Sequence, residues 1–501
     1  MDVKLMKDLA LGIDIGTTSV KAILISKNGE IVKEVSKAHD LISKAPGFAE
    51  EDPVIWWTNL MTMIKELVSE GYSARIASIG VTGMVPTLIL VDKNLNAIRY
   101  SIQQNDARST DEIEQLKHVV NEKEYFSKTA NTLNQQIIFP KYLWLKKHEP
   151  DNVKASNWIM GSYDFISTKL TGNPHTEINW ALESGMWLVK DKKWYYDIIK
   201  IANIPVELLP KVYEPSEIVG YTTVKLEKET GLPSGIPVVA GSADHIASSL
   251  AVGLKDEGDL LLKFGGAGDI MFVTNSLKMD KRLFLDYHDI PSKYVLNGCM
   301  ASSGSLIKWF MQLLRENSYD ELQELAMKSG VGSQGLITLP YFLGEKTPIF
   351  DTKARGIIFG LDLHHNRGDI FRSIMEGVVF GFKHHIEVLN ESGFEIRRVF
   401  ISDGGAKNPL WRQITADAIG MDIRYIIDNP GSSLGSAFIA GIAVGLFKSW
   451  DEIDKFLTRS IVVIANQENH KLYEKYYKIY RKLYETLKPL YEELYSIREE
   501  K

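Results

Sequence analysis

Two stretches of apolar and β-branched residues, each interrupted by glycines, dominate the hydrophobic pattern of the chain. The first, at 9–26, reads LALGIDIGTTSVKAILIS, and the second, at 259–274, reads DLLLKFGGAGDIMFVT. Two apolar runs joined by a short glycine-containing segment predict two strands and a tight turn. Because this arrangement occurs twice, the pattern indicates a duplicated α/β domain with both turns facing a shared cleft.

Shorter apolar runs and segments with helical periodicity lie elsewhere in the sequence. The pattern predicts strands at 76–81, 88–91, 238–240 and 399–402, and helices at 112–123 and 369–389. Strands that alternate with helices favour a mixed α/β fold.

A helical pattern also runs through the end of the chain, at 468–498. The residues at helical spacing, which we expect to pack on the domain surface, are Leu472, Tyr476, Ile479, Leu483, Leu487, Leu490 and Leu494.

The length of 501 residues predicts more than one packed unit, because single cores stop growing near about 250–300 residues. We place the domain boundary in the Lys255–Gly258 turn, where polar residues separate two apolar runs. The resulting division is 1–254, 255–450 and a helical extension at 451–501.

Charge and composition narrow the classes of partner. The net charge of −6 supplies no basic field for phosphate backbones, so nucleic acid is not the expected partner. Cys299 is the single cysteine and has no internal disulfide partner. The first residues lack the apolar run of a signal peptide, and no stretch has the length of a membrane span. We therefore expect a cytoplasmic protein that acts on a small molecule.

The first glycine turn carries residue types that bind phosphate. Gly16 lets backbone N–H groups approach a ligand closely, and Thr17 and Thr18 add hydroxyl donors. A carboxylate beside a phosphate needs a cation between the two, so Asp14 is interpreted as a partner of Mg²⁺. The alternative is an ordinary hairpin with Asp14 at its edge.

The second glycine turn, Gly405 and Asp244 are open to two interpretations each. Gly265 and Gly266 form either a backbone nest for a second phosphate or a plain hairpin turn. The glycine before the helix, Gly405, allows either close approach of a nucleoside or a tight connection. Asp244 follows an apolar strand and precedes a helix, which suits either a helix cap or a general base for a hydroxyl nucleophile.

The order of these motifs resembles the FGGY family of carbohydrate kinases, within the actin, sugar kinase and heat-shock ATPase superfamily. The resemblance covers about 9–447. It rests on the two phosphate-type turns, the segment at 105–108, the Tyr163–Phe165 and Leu170–Gly172 stretch, the segment at 339–360, and the motifs near 404–408 and 434–437.

The resemblance implies two ribonuclease H-like domains around a central cleft, closing over MgATP and a sugar or polyol. It assigns 1–254 to the sugar and phosphate side and 255–450 to the nucleotide side. It also implies these site residues: Asp244 as general base, Asp14 and Asp244 near the metal, Gly16, Thr17, Thr18, Gly265, Gly266, Gly304, Lys308, Gly405 and Asn408 around the nucleotide, and Met84, Asp106, Asp244 and His245 around the acceptor. Family members often pair as homodimers.

Departures from the family pattern concern the acceptor. The Thr82–Thr87 loop lacks the Gln-Met-His of many xylulose kinases and the Arg-Glu pair of glycerol kinases. In the second phosphate turn, Gly266 replaces the usual threonine, which leaves phosphate binding there to backbone groups. The resemblance predicts an ATP-dependent sugar kinase that acts on a pentulose, xylulose first. Gluconate, glycerol or another polyol is the alternative acceptor, and a chaperone-like conformational ATPase is the alternative class. A serine hydrolase based on Gly431–Gly435 is disfavoured because no strand precedes that segment.

Overall fold

The computed structural model describes residues 7–316 and 318–499. The expectation that the first residues form no signal peptide concerns, in part, residues 1–6, which lie outside this range. The chain divides into two compact units. The first contains Met1–Lys255, Leu285–Tyr294 and Asn429–Thr458, and the second contains Asp256–Phe284, Val295–Asp428 and Arg459–Lys501.

The strands, in chain order, are β1 Leu9–Ile15, β2 Ser19–Ser26, β3 Ile31–Ala38, β4 Glu50–Glu51, β5 Ile76–Gly83, β6 Ile89–Val91, β7 Ser101–Ile102, β8 Trp158–Met160, β9 His175–Glu177, β10 Trp187–Leu188, β11 Lys193–Trp194, β12 Lys211–Tyr213, β13 Ile218–Tyr221, β14 Pro237–Val239, β15 Ser242–Ala243, β16 Asp259–Phe264, β17 Gly268–Thr274, β18 Phe284–Tyr287, β19 Tyr294–Met300, β20 Ile337–Leu339, β21 Ile357–Phe359, β22 Arg398–Ser402, β23 Ile423–Ile426 and β24 Ser460–Val463.

The α-helices are α1 Pro53–Ser69, α2 Thr110–Lys117, α3 Glu122–Thr129, α4 Ile138–His148, α5 Pro150–Ala155, α6 Ser162–Thr171, α7 Ile178–Glu183, α8 Tyr196–Ile201, α9 Val224–Thr230, α10 Asp244–Ala251, α11 Gly304–Leu314, α12 Tyr319–Ser329, α13 Arg367–Glu391, α14 Pro409–Ile419, α15 Ser432–Ala443 and α16 Gln467–Glu499.

The main sheet of the first unit is mixed and places the first predicted hairpin at its centre. Its strand order is β13–β14–β5–β1–β2–β3, and β15 pairs beside β5. β1 is antiparallel to β2 but parallel to β5, and β5 is parallel to β15. The carboxyl ends of β1, β5 and β15 therefore meet at one edge of the sheet.

Helix α15 packs directly on this sheet through glycines. A Cβ atom at Gly12 in β1 would lie 2.7 Å from the backbone nitrogen of Ala437, and one at Gly80 in β5 would lie 3.2 Å from Cβ of Ala440. The missing side chains let the helix approach β1 and β5 closely. This contact explains why residues 429–458 belong to the first unit.

The second unit repeats the arrangement. Its strands follow the order β19–β17–β16–β22–β23–β24, with β16 antiparallel to β17 and parallel to β22. The long helix α13 is buried along most of its length. The predicted mixed α/β fold, in two domains, and both predicted hairpins are confirmed.

Most predicted elements are present, with one clear error. Strands at 76–83, 89–91, 237–239 and 398–402 lie where the pattern put them, and α13 contains the whole predicted segment. The single helix expected at 112–123 is wrong, because α2 ends at Lys117 and α3 begins at Glu122. The side chain of Asn121 caps α3 by accepting the N–H of Glu124, so the polar residue starts a new helix.

The C-terminal helix α16 packs through a face of the helix that the sequence analysis did not choose. Leu472, Ile479, Leu490 and Leu494 are exposed, and the buried residues are Tyr473, Tyr477, Tyr480, Tyr484 and Tyr491. The tyrosine face is buried because the tyrosine hydroxyls form hydrogen bonds within the second unit. Tyr480 bonds Tyr341 at 2.9 Å, and Tyr473 donates to Glu376 at 2.8 Å. Among the described residues, no helix has the length and apolar character needed to cross a bilayer.

Candidate active site

The predicted site residues of the first unit gather at the carboxyl ends of β1, β5 and β15. The register pairs Asp14 with Thr82 and Thr82 with Ser242, so the three side chains share one row on one face of the sheet. The glycine turn follows β1, Met84 follows β5 and Asp244 follows β15. Residues 70 to 230 positions apart in the chain therefore lie together at this edge.

The turn after β1 is closed by one backbone hydrogen bond, from Gly16 N–H to Ser19 O at 3.1 Å. A Cβ at Gly16 would lie 3.8 Å from Oδ2 of Asp14, so this carboxylate lies beside the turn. Thr17 and Thr18 are exposed, whereas Asp14 is only 9% exposed. The turn thus presents hydroxyl donors next to a largely buried carboxylate.

Asp244 is the first residue of α10, and its side chain is 38% exposed. Its Oδ1 accepts the backbone N–H of the next residue, His245, at 2.7 Å, but the N-cap of α10 is Ala243 and no side chain caps this helix. This hydrogen bond uses one carboxylate oxygen at the end of the helix. An exposed carboxylate in this position also suits a general base.

His245 lies among three carboxylates, two of which the sequence did not predict. Its Nε2 lies 3.1 Å from Oδ2 of Asp286 and 4.0 Å from Oε1 of Glu183, and its Nδ1 lies 3.5 Å from Oδ1 of Asp244. Burial alone would lower the pKa of His245, but the hydrogen bonds to Asp244 and Asp286 outweigh burial and hold that pKa well above its usual value. No local motif marks Glu183 or Asp286, which come from α7 and β18.

The other two predicted acceptor residues, Met84 and Asp106, are buried. The carboxylate of Asp106 accepts two side-chain hydrogen bonds from Arg108, both at 2.8 Å, and one from the backbone N–H of Ala49 at 2.6 Å. The guanidinium of Arg108 stacks over the ring of Phe48 at 4.0 Å. Asp106 therefore holds Arg108 and the loop around Ala49 in place.

A lysine that the sequence analysis overlooked supports the same loop. Lys141 is fully buried, and its Nζ donates to the carbonyl oxygens of Gln103 at 2.8 Å and Gln136 at 3.1 Å. Burial lowers the pKa of Lys141 to about 7. Lys141 fixes the backbone just ahead of Asp106.

In the second unit, the turn after β16 is tied to the start of α11. The carbonyl of Gly265 accepts the N–H of Gly304 at 2.8 Å, and that of Gly266 accepts the N–H groups of Ser303 at 2.9 Å and Ser305 at 3.1 Å. The turn carbonyls therefore satisfy donors that a helix N-terminus leaves open. The structure brings Gly265, Gly266 and Gly304 together, as the nucleotide interpretation requires.

Lys308 lies one turn along the same helix. Together with Gly304, it lines a groove of about 430 Å³ whose other walls are Ile307, Met311, Gln312, Arg315 and Glu316. The exposed ammonium of Lys308 gives this groove a positive group.

Gly405 and Asn408 have structural contacts that explain their residue types. A Cβ at Gly405 would lie 2.8 Å from Cβ of Phe264 and 2.8 Å from the ring of Trp411, so only glycine fits between them. The side-chain oxygen of Asn408 accepts the N–H of Leu410 at 2.8 Å and caps α14. The nucleotide roles of both residues stay predictions.

Comparisons with known proteins agree with the motifs. The chain matches the FGGY family of carbohydrate kinases, N-terminal domain, at residues 9–251, and the C-terminal domain of that family at residues 265–444.

Similar individual proteins cover nearly the whole chain. Xylulose kinase of Staphylococcus epidermidis is 30% identical over 94% of this chain and 96% of its own length. Xylulose kinase of Bacillus subtilis is 29% identical over 93% of this chain and 94% of its own. The crystal structure of xylulose kinase from Rhodospirillum rubrum superposes with a TM-score of 0.92 at 38% identity, covering 97% of this chain and 100% of that one. This protein therefore belongs to the FGGY family of carbohydrate kinases.

Proposed function

We propose that this carbohydrate kinase transfers the γ-phosphoryl group of ATP to a hydroxyl of a ketopentose, with xylulose as the first candidate. The observation that carries the proposal is the sheet edge of the first unit. There, the Asp14 carboxylate lies near the end of β1, and the turn with Gly16, Thr17 and Thr18 follows that strand. The partly exposed Asp244 follows β15, and β1 and β15 both run parallel to β5. Similarity to xylulose kinases over more than nine-tenths of the chain supports the choice of acceptor.

Asp244 acts as the general base in this proposal. Its carboxylate accepts the proton of the acceptor hydroxyl as the hydroxyl oxygen forms a bond to the γ-phosphorus and the bond to ADP breaks. The N–H of His245 holds Oδ1 in place, which orients the carboxylate for this task.

Asp14, Thr17 and Thr18 are proposed to hold the transferred phosphate. The carboxylate oxygen of Asp14 beside the turn is a donor of the type that Mg²⁺ prefers, so the residues present fit this ion. When bound, Mg²⁺ supplies positive charge that offsets the charge of the phosphates. The exposed threonine hydroxyls orient the phosphate oxygens through hydrogen bonds.

The remaining predicted residues complete the proposal. Gly265, Gly266, Gly304, Lys308, Gly405 and Asn408 contact the nucleotide, and Met84, Asp106 and His245 contact the acceptor. We propose 1–254 as the sugar and phosphate domain, 255–450 as the nucleotide domain and 451–501 as a helical extension, although residues 285–294 and 429–458 pack in the first unit of the fold. We also propose that the protein is cytoplasmic and forms a homodimer.

The test measures ADP formation with MgATP over a panel of acceptors and a control without acceptor. The panel contains D-xylulose, L-xylulose, D-ribulose, L-ribulose, gluconate, glycerol and erythritol. A rate that rises well above the control with a pentulose supports the proposal. A rise with gluconate or glycerol alone replaces the acceptor, and equal hydrolysis with and without every acceptor favours a conformational ATPase.

Asp244→Asn tests the base. We expect turnover to fall by about 10³-fold or more while ATP binding stays near wild type, because the amide cannot accept the proton. Asp151→Asn, the same chemical change at a side chain that is 96% exposed, is the matched control and should retain full activity. Near-normal turnover of Asp244→Asn would reject the assignment of the base.

A further inference from the structure

The acceptor loop, residues 84–87, lies between β5 and β6 and begins with Met84, one of the proposed acceptor contacts. Every residue of the loop is buried. Buried backbone N–H and carbonyl groups need hydrogen-bond partners, so the groups that bond this loop fix its shape. The N–H of Met84 donates to the carbonyl of Ile15 in β1 at 3.2 Å. Further partners come from helices α6 and α7.

Trp180 on α7 bonds the far end of the acceptor loop. Its indole Nε1 donates to the carbonyl oxygen of Thr87 at 2.7 Å, and the residue is fully buried. The indole lies against Gly161, where a Cβ atom would be 2.8 Å from Nε1 of Trp180. A larger residue at position 161 would push the indole away from the loop. The glycine therefore allows this N–H to reach Thr87.

Ser162, the first residue of α6, makes two hydrogen bonds to the same loop. Its hydroxyl donates to the carbonyl oxygen of Met84 at 2.9 Å, and its backbone N–H donates to the hydroxyl oxygen of Thr87 at 2.8 Å. Ser162 is also fully buried. It thus holds both ends of the acceptor loop, and Trp180 adds a second hydrogen bond at Thr87.

Helix α7 is itself fixed around Trp180. The side chain of Glu177 caps this helix by accepting the N–H groups of Asn179 at 2.9 Å and Trp180 at 3.2 Å. The side chain of Asn179 donates to the carbonyl of Tyr287 in β18 at 2.9 Å and accepts its N–H at 2.8 Å. Trp180 therefore projects from a helix whose position is set by hydrogen bonds that do not involve the loop.

We propose that Trp180 and Ser162 are positioning residues for the sugar acceptor. They hold the carbonyls of Thr87 and Met84, and the loop so fixed contacts the acceptor. This role rests on the proposed function and adds a determinant of acceptor affinity. A displaced loop weakens binding of the ground state and the transition state alike, which raises the acceptor KM and leaves kcat unchanged. A purely structural role would instead lower the fraction of folded enzyme, and with it the apparent kcat, at an unchanged KM.

The experiment measures kcat and both KM values of Trp180→Phe, which keeps an aromatic ring and removes the indole N–H. We expect the acceptor KM to rise about tenfold because a buried carbonyl loses its partner, whereas kcat and the KM of ATP stay at wild-type values. Trp411→Phe is the matched control, since the buried Nε1 of Trp411 donates to the carbonyl of Met375 in the second unit at 3.1 Å. Trp411 packs beside Gly405, so any kinetic effect of the control should fall on the KM of ATP and not on that of the acceptor.

Ser162→Ala is a smaller change that removes only the hydrogen bond to the carbonyl of Met84, and its acceptor KM should also rise. Thermal melting identifies the variants that fold, and Ser162→Ala tests the proposal if Trp180→Phe does not. The proposal is overturned if the acceptor KM of the folded variants equals that of the wild type, or if only kcat falls. An equal rise of the acceptor KM in Trp411→Phe overturns it as well.

Hydrogen–deuterium exchange separates this role from the proposed function, because it needs no substrate. Peptides that cover residues 82–91 should exchange faster in Trp180→Phe and Ser162→Ala than in the wild type and in Trp411→Phe. If the wild type phosphorylates no acceptor of the panel, the proposed function fails, and the exchange rates alone show whether the two residues hold the loop. Equal exchange in the wild type and the variants refutes the positioning role.

Discussion

Gly12→Ala is expected to destabilise the first unit by driving helix α15 away from the sheet. A Cβ atom at Gly12 would lie 2.7 Å from the backbone nitrogen of Ala437 and 2.8 Å from its Cβ, and it would lie closer still to the carbonyl oxygen of Ser433. None of these atoms belongs to the end of a flexible side chain. Relief therefore requires the helix backbone itself to move.

The magnitude follows from the distances. Ordinary contacts between carbon atoms are about 3.5–4.0 Å, so the Cβ–Cβ distance alone requires a shift of roughly 0.7 Å. An extra methyl group in a packed core typically costs about 1–3 kcal/mol. Because α15 also contacts β5 at Gly80, it cannot shift freely, and we expect a loss of about 3 kcal/mol.

The assay is urea unfolding followed by tryptophan fluorescence, with the transition midpoint compared between variants. Gly404→Ala is the matched control, since Gly404 has ordinary helical dihedral angles and a Cβ there meets no atom within 4 Å. We expect a lower midpoint for Gly12→Ala and an unchanged one for Gly404→Ala. If both midpoints equal that of the wild type, the close packing of α15 on β1 is refuted.

Three further predictions concern the second unit and use the same unfolding assay. Arg372→Met should cost about 3–5 kcal/mol because it leaves Glu376 buried without its cation, and adding Glu376→Leu should recover part of the loss. Tyr473→Ala should cost about 3–5 kcal/mol, whereas Leu490→Ala, on the exposed face of α16, should cost less than about 0.5 kcal/mol. Burial lowers the pKa of His385 to about 4. Between about pH 6.5 and 4, the histidine of the unfolded chain binds a proton that the folded chain does not bind. The free energy of unfolding therefore decreases as the pH falls through this range. Relative to His385→Gln, the wild type should lose up to about 3 kcal/mol over this range.

For each of these three predictions, a specific outcome would contradict the reasoning. Equal stability of Arg372→Met and of the double variant with Glu376→Leu would show that the unpaired Glu376 carboxylate does not destabilise the protein. Equal effects of the tyrosine and leucine substitutions would place the packing face of α16 elsewhere. A stability difference between wild type and His385→Gln that is independent of pH would show that the folded protein accepts the proton.

Local patterns predicted the elements whose signals lie within a few residues of each other. The hairpins of β1–β2 and β16–β17 were predicted because strand alternation and a glycine turn are both short-range features. The error at 112–123 has a local cause, since the cap at Asn121 was treated as helix interior. The error in α16 has a tertiary cause. The helical spacing fits two neighbouring faces, and only the hydrogen-bond partners of Tyr473 and Tyr480 in the folded chain select the buried one.

The candidate site shows the same division between local and tertiary information. Asp14, Gly16 and Asp244 stood out because each lies in or just after an apolar run of the sequence. Glu183 and Asp286 had no such signal. They lie beside His245 because the fold brings α7 and β18 together, where Asn179 hydrogen-bonds the backbone of Tyr287 across 108 residues.

The sequence by itself determined the two glycine hairpins, several other strands of the two main sheets and the family of this protein, because these depend on residue types at short, regular spacing. Only the tertiary structure decided that α15 packs on β1 and β5, that tyrosines rather than leucines anchor α16, and which carboxylates surround His245. These outcomes depend on steric fit and hydrogen-bond partners between residues far apart in the chain. The energy of such contacts is set by the folded geometry, which no local pattern encodes.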